Sequence, residues 1–106
     1  MVNDELTGKI LEASFEVSRE LGAGFIESVY EKALHVALMQ KGLKTICQVP
    51  LNVKFRGVIV GEFYADMLVE EKVLVELKAV RAIIPEHKAQ VINYLKATGI
   101  EIGLLL

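Results

Sequence analysis

The sequence has few of the residues that would support a disulfide-stabilised fold or a zinc site. Its single cysteine, Cys47, cannot form an internal disulfide. Two histidines, His35 and His87, accompany it, and the spacing of the three does not fit zinc coordination. We expect all three to be structural, because a lone histidine on a helix is more often an ordinary residue than a ligand.

The chain also lacks a long apolar run and an N-terminal targeting pattern. No unbroken apolar stretch approaches the roughly 20 residues that a membrane span needs. The first residues, Met1 to Leu6, contain neither the basic region nor the apolar region of a signal peptide. We therefore expect a cytoplasmic protein without a membrane partner.

A surplus of basic residues is absent as well. Twelve Lys and Arg residues stand against 14 Asp and Glu residues, which gives a net charge of -2. Dedicated nucleic-acid binders usually carry a basic surplus, so the balance argues against simple high-affinity binding to DNA. It does not exclude a nuclease, because an acidic metal site lowers the net charge and a bound cation restores part of it.

What is present predicts one α/β domain over residues 1–106. Hydrophobic residues make up 53% of the chain and charged residues 25%, a globular composition. The hydrophobic spacing predicts helices over about 3–21, 26–40 and 85–97, and strands over about 45–55, 58–69, 72–80 and 100–106. Tight turns favour antiparallel pairing of the first three strands, whereas the last strand arrives through a helix and can pair parallel. We expect a mixed four-stranded sheet flanked by helices, with Pro50 at an edge position or a bend and the last strand buried.

The third predicted strand carries two charges within an otherwise apolar run. Glu76 and Lys78 are two residues apart and share one face of the strand. A three-residue hairpin loop would pair Asp66 with Glu76 and bring their Cβ atoms to ~4.5–5.5 Å. A two-residue loop would pair Asp66 with Val75 instead and place Glu76 on the other side. Both loops fit the sequence.

Two carboxylates opposite each other repel, and a cation between them removes the repulsion. Their hard oxygen atoms suit Mg²⁺ or Mn²⁺. The ordinary alternative is that an acid and a lysine on one strand face form only the solvated side of an antiparallel sheet.

Two helices carry further candidates. Glu27 and Tyr30 are three residues apart and neighbour each other on a helix. Alternatively, Glu27 only favours the positive N-terminal end of that helix. Gln90 and Tyr94 are four apart and share a face, and the alternative for Tyr94 is core packing with its hydroxyl at the rim.

These residues together resemble a known family. Gly24-Phe-Ile-Glu27-Ser-Val-Tyr30 is similar to the signature of the GxxExxY proteins. Asp66 followed by Glu76-Leu77-Lys78 resembles the D-(x)n-E-x-K core of the PD-(D/E)XK nuclease superfamily, and Gln90 to Tyr94 resembles its Q-x-x-x-Y element. The resemblance covers about residues 6–106. Two departures are Ala65, where a proline often precedes the aspartate, and the end at Leu106, beyond which such proteins usually continue.

The resemblance implies a restriction-endonuclease-like αβββαβ core with an extra N-terminal helix. It also implies hydrolysis of phosphodiester bonds with Mg²⁺ (or Mn²⁺), on DNA in preference to RNA. Asp66 and Glu76 would bind the metal, with the backbone carbonyl of Leu77 as a further ligand. Lys78 would orient the attacking water and steady the developing phosphate charge. The remaining residues that it implicates are Glu27 as an added acid, Tyr30 and Gln90 as supporting residues, and Tyr94 as a contact to substrate.

A competing hypothesis keeps the fold without the catalysis. In it the chain is an inactive interaction module that self-associates through apolar surface. A homodimer is also compatible with a nuclease, because two copies could assemble a basic groove that one copy lacks.

Overall fold

The computed structural model describes residues 4–78, 83–100 and 102–106. Within them the chain forms α1 (Asp4–Leu21), α2 (Glu27–Gln40), β1 (Thr45–Phe55), β2 (Val58–Val69), β3 (Val73–Glu76), α3 (Pro85–Thr98) and β4 (Ile102–Leu105). The sheet order is β1-β2-β3-β4, with β1/β2 and β2/β3 antiparallel and β3/β4 parallel. The predicted mixed four-stranded sheet with flanking helices is confirmed, and β1 is an edge strand as Pro50 indicated.

The main hydrophobic core lies between the sheet and the pair α1 and α2. Ile10 and Ala13 of α1 and Leu34 and Leu38 of α2 are almost fully buried there. They pack against alternate residues of the two central strands: Met67, Val69, Val73, Val75 and Leu77. This alternation assigns one face of β2 and β3 to the two N-terminal helices.

A second, smaller core joins α3 to the sheet. Tyr94 packs with Leu51, Ala65 and Leu74, and Leu68 and Leu95 lie at its margin. Along β2 and β3, Leu68 and Leu74 alternate with the residues that pack under α1 and α2, so they lie on the opposite face of the sheet. Helix α3 covers that opposite face. The helix starts at Pro85 and ends at Gly99, whose φ of 73° is left-handed, as expected for a glycine after a helix.

Strand β3 ends earlier than predicted. The prediction ran from 72 to 80, but the strand stops at Glu76, and residues 79 and 80 lie outside the described part. The reason is local: the backbone N–H of Leu77 donates to the carboxylate of Asp66 at 2.7 Å, not to a backbone carbonyl of β2. On its other side the chain still pairs, since Lys78 N donates to the carbonyl of Leu106 at 2.9 Å.

Strand β4 is also shorter than predicted, and its residues are half-buried, so the expectation of a buried strand is wrong. Within the residues that the structure describes, β4 is the second edge of the sheet and pairs with β3 alone. Its tightest packing is against α3: a Cβ placed on Gly103 would lie 2.7 Å from Cγ1 of Val91. A glycine there lets the strand approach the helix.

The β1–β2 hairpin projects beyond the rest of the sheet. β1 has 11 residues and β2 has 12, whereas β3 has only four. Residues 52–60 and 62–64 are exposed, although Phe55, Val58 and Val60 are large and apolar. The hairpin therefore forms an arm beside α3. In the part of the chain that the structure describes, no helix is long and apolar enough to cross a bilayer.

Candidate metal centre

The hairpin loop between β2 and β3 decides where the two central acids lie. Val69 pairs with Val73 and Met67 with Val75, so Glu70, Glu71 and Lys72 form a three-residue loop. Continuing this register by one residue places Asp66 opposite Glu76. Of the two alternatives left open by the sequence, the structure has the one that brings both carboxylates to one face of the sheet.

Asp66 and Glu76 are connected by two reciprocal hydrogen bonds. The backbone N–H of Asp66 donates to Oε1 of Glu76 at 2.9 Å. The backbone N–H of Leu77 donates to Oδ2 of Asp66 at 2.7 Å. Each carboxylate is thus fixed by the other's strand through one of its oxygens, and charge-assisted bonds of this kind are strong. The second oxygen of each carboxylate is the atom that could bind a cation.

Glu76 is the one charged residue with a buried side chain among the described residues, at 3% exposure. This burial raises its pKa to about 7, and the nearby charge of Asp66 adds to the effect. The N–H of Asp66 and the charge of Lys78 act in the opposite direction. Because the pKa still ends far above the ordinary value, the negative charge of the pair is poorly compensated. A divalent cation would compensate it.

The donor set fits Mg²⁺ better than a cage-binding metal. In residues 4–78, 83–100 and 102–106, no three His, Cys, Asp or Glu side chains lie close enough together to hold a metal ion. Mg²⁺ is commonly bound through one or two carboxylates and keeps several waters. The Asp66–Glu76 pair matches that pattern. The carbonyl of Leu77 as a further ligand stays a prediction.

Glu27 is not brought into this pair. It is the first residue of α2, is exposed, and lines a cavity of about 630 Å³ together with Tyr30 and Lys78. The expected convergence of three acids is therefore not seen: α2 packs on one face of the sheet, whereas Asp66 and Glu76 alternate onto the face of α3. Lys78 is the connection, since it lines the cavity of Glu27 and its charge acts on Glu76.

Tyr30 holds the loop that precedes α2. Its hydroxyl donates to the carbonyl of Gly22 at 2.6 Å and accepts the N–H of Phe25 at 3.2 Å. The rings of Tyr30 and Phe25 meet edge to face, with centroids 6.1 Å apart. These contacts fix the loop that leads to Glu27. They also explain the spacing between Gly24 and Tyr30, because the side chain of Tyr30 in α2 extends back over the first turn of the helix to the loop.

Gln90 and Tyr94 of α3 lie on the side of the carboxylates. Gln90 Nε2 donates to the hydroxyl of Tyr94 at 3.2 Å. Burial raises the pKa of Tyr94, and the charges of Glu76 and Asp66 raise it further. Tyr94 is therefore a core residue, which agrees with the core packing considered for it from the sequence. It is also a neighbour of the Asp66–Glu76 pair. Oε1 of Gln90 is buried without a hydrogen-bond partner.

Sequence reasoning missed the surface next to this site. Phe63, Lys54 and Asn52 of the hairpin line a groove with Asn93 and Lys96 of α3. The available signal was the length of the two predicted strands around Arg56-Gly57, which exceeds that of the two later predicted strands.

A scan against protein-family models matches residues 4–106 to a family of the PD-(D/E)XK nuclease superfamily. The chain belongs to the PD-(D/E)XK nuclease superfamily. Its three helices and mixed four-stranded sheet, within the described residues, agree with the restriction-endonuclease-like fold of this superfamily. A search of the curated proteins and a search of the solved structures gave no match. The match includes β2, β3 and α3, and therefore the Asp66–Glu76 pair and Lys78 of this superfamily member.

Proposed function

We propose that this chain is a Mg²⁺- or Mn²⁺-dependent nuclease of the GxxExxY type that hydrolyses phosphodiester bonds in DNA. The observation that carries the proposal is the cross-strand pair Asp66–Glu76, one member of which is buried and has a strongly raised pKa. An uncompensated acidic pair beside a lysine is costly unless a ligand uses it. Membership of a nuclease superfamily gives the pair a chemical purpose.

Each residue of the pair has a defined task in this proposal. Asp66 and Glu76 would hold the cation through their carboxylates. The bound cation supplies Lewis-acid polarisation of the phosphate and lowers the pKa of a water. The carboxylates are fixed by β2 and β3 before substrate arrives, so the site needs little rearrangement.

Lys78 lies between the acidic pair and the cavity of Glu27. Its ammonium group would contact a phosphate oxygen or the attacking water and stabilise the charge that develops there. Glu27, at the N-terminus of α2, would add an acidic group to the cavity that it lines with Lys78. Tyr30 positions this helix end through Gly22 and Phe25, and Gln90 and Tyr94 would face the substrate from α3.

A nuclease assay with a matched inactive variant tests the proposal. Plasmid, linear duplex and single-stranded DNA are incubated with the chain and with Asp66→Asn, in Mg²⁺, in Mn²⁺ and in EDTA. The variant keeps the size of the side chain and an oxygen for the N–H of Leu77, so it separates the loss of charge from a loss of fold. Cleavage by the parent in metal, and none by the variant or in EDTA, is expected. Equal cleavage by both proteins would show that the activity is a contaminant.

The projecting hairpin favours one second candidate, a self-associating interaction module. Phe55, Val58 and Val60 are 59%, 63% and 62% exposed, and they lie together at the end of the hairpin, where Phe55 pairs with Val58. A light-scattering measurement of the molar mass across a concentration series tests whether the chain self-associates. A monomer at all concentrations would exclude the second candidate.

A further inference from the structure

A long groove runs between the hairpin arm and α3. It has a volume of about 1280 Å³. Small-molecule pockets usually measure about 300–1,000 Å³, so the groove suits an extended ligand better than a compact one. One wall is formed by the β1 segment around Asn52 and Lys54 with Phe63 of β2, and the other by Gln90, Asn93 and Lys96 of α3.

The two walls of the groove carry amide side chains and lysines. Three amide side chains, Asn52, Gln90 and Asn93, can both donate and accept hydrogen bonds. Lysines stand on both walls, Lys54 on the hairpin and Lys96 on the helix. Glu86 is the acid that lines the groove with them. Amides match the edges of bases, and lysines match phosphates.

An aromatic ring lies in this groove. Phe63 is 47% exposed, and its ring centroid is 6.1 Å from that of Tyr94, which is tilted against it by 43°. The buried face of Phe63 is thereby supported by the core. A half-exposed ring that is held rigidly from behind is a surface on which a planar group can stack.

Two residues of α3, Gln90 and Tyr94, connect the groove to the neighbourhood of the acidic pair. Gln90 lines the groove, and its Oε1 is buried with no hydrogen-bond partner, which is costly unless a donor arrives from a ligand or water. Tyr94, hydrogen-bonded to Gln90, also lines the groove and lies close enough to Asp66 and Glu76 for their charges to raise its pKa. A chain bound along the groove would therefore lead to the metal pair.

We infer that this groove binds a single-stranded nucleic acid, with a base stacked on Phe63 and phosphates paired with Lys54 and Lys96. The inference deepens the proposed nuclease function and rests on it. Duplex DNA fits the observations less well, because its bases are paired and stacked inside and could not reach Phe63. Among the described residues that line the groove, it would meet only two lysines, whereas binding through phosphates alone needs a denser basic surface.

Fluorescence anisotropy tests the inference without requiring catalysis. The chain is titrated in EDTA against labelled oligo-dT of about 12 nucleotides, oligo-rU of the same length, and a duplex of the same length. The single strands should bind at least about tenfold more tightly than the duplex, and the rU arm reports whether a 2′-hydroxyl is tolerated. Phe63→Ala should weaken binding about fivefold to 150-fold, the range measured for losing one stacked base. Lys54→Ala and Lys96→Ala should each lower the slope of log K against log salt by about 0.7.

Matched controls separate the groove from the rest of the surface. Phe15→Ala removes a 66% exposed phenylalanine of α1, and Lys88→Ala removes an exposed lysine of α3 that does not line the groove. Both should bind as the parent does. Equal effects of Phe63→Ala and Phe15→Ala, or a preference for the duplex, would overturn the inference.

The outcomes for the groove and for the nuclease are distinguishable. Metal-dependent cleavage of duplex DNA with no single-strand binding would refute the groove and leave the nuclease in place. Single-strand binding that depends on Phe63 and the lysines, with no cleavage of any substrate, would support the groove and refute the nuclease. Circular dichroism of Phe63→Ala guards against misfolding, and the two lysine variants test the groove without altering its packing.

Discussion

Replacing Glu76 by glutamine should stabilise the metal-free protein at alkaline pH. The ordinary pKa of the glutamate is 4.5, and in the fold burial raises it to about 7. One pKa unit corresponds to about 1.4 kcal/mol, so the ionised residue weakens the folded state by up to about 3 kcal/mol. Glutamine has no charge to bury, and its carbonyl oxygen can still accept the N–H of Asp66.

The sign of this pH dependence follows from the direction of the pKa shift of Glu76. A carboxyl whose folded pKa is raised contributes its stabilisation fully below pH 4.5 and loses it as the pH rises through about 7. The parent protein should therefore lose about 2–3 kcal/mol of unfolding free energy between pH 5 and pH 8.5 from Glu76. In Glu76→Gln this loss should be missing. Any effect of the substitution on the unfolding free energy that does not depend on pH cancels, because each protein is compared with itself at two pH values.

Urea unfolding followed by far-ultraviolet circular dichroism measures the effect. The chain has no tryptophan, so a backbone signal is preferable to fluorescence. All samples contain EDTA, because a bound cation would stabilise ionised Glu76 and hide its cost. Glu62→Gln on β2 is the matched control: Glu62 is exposed, and its replacement should change the unfolding free energy by less than about 0.5 kcal/mol at either pH. If Glu76→Gln and the parent lose the same free energy between the two pH values, the buried uncompensated charge does not exist.

Three further substitutions test other parts of the account. Lys78→Ala should leave binding of Mn²⁺ intact but lower the cleavage rate at least about 100-fold, since one positioned charge is typically worth that much; undiminished cleavage would remove Lys78 from the mechanism. Tyr30→Phe loses the 2.6 Å bond to the carbonyl of Gly22 and should cost about 1 kcal/mol of stability in urea unfolding. An unchanged midpoint would show that the loop does not depend on this hydroxyl. Gly103→Ala brings a Cβ to 2.7 Å from Val91 and should cost about 1–3 kcal/mol; a neutral result would mean that β4 and α3 can separate freely.

The fold could be predicted from the sequence wherever one local signal decided it. The bounds of β1 and β2 agree with the prediction because Arg56-Gly57 is an unambiguous turn between two alternating runs. The end of β3 could not be predicted in this way. Val73 to Val80 is apolar throughout apart from its two charges, and what ends the pairing with β2 is a side-chain acceptor, Asp66, supplied from another strand.

The candidate site was predictable in its identities but not in its arrangement. The sequence left two loop lengths open, and only the register of Val69 with Val73 shows that Asp66 faces Glu76. The spacing of Glu27 and Tyr30 on one helix gave no information about which side of the sheet that helix covers. The groove along α3 could not be predicted from the sequence either, because its two walls are brought together by tertiary packing around Tyr94.

Thermal melting with and without Mn²⁺ tests the central claim most directly, that Asp66 and Glu76 together bind a divalent cation. A ligand that binds only the folded state at 100 times its Kd stabilises it by about 2.7 kcal/mol, or about 10–20 °C in Tm for a domain of this size. The parent and Glu62→Gln should show this rise, and Asp66→Asn and Glu76→Gln should show none. A full Mn²⁺-dependent rise in Asp66→Asn or in Glu76→Gln would contradict the account.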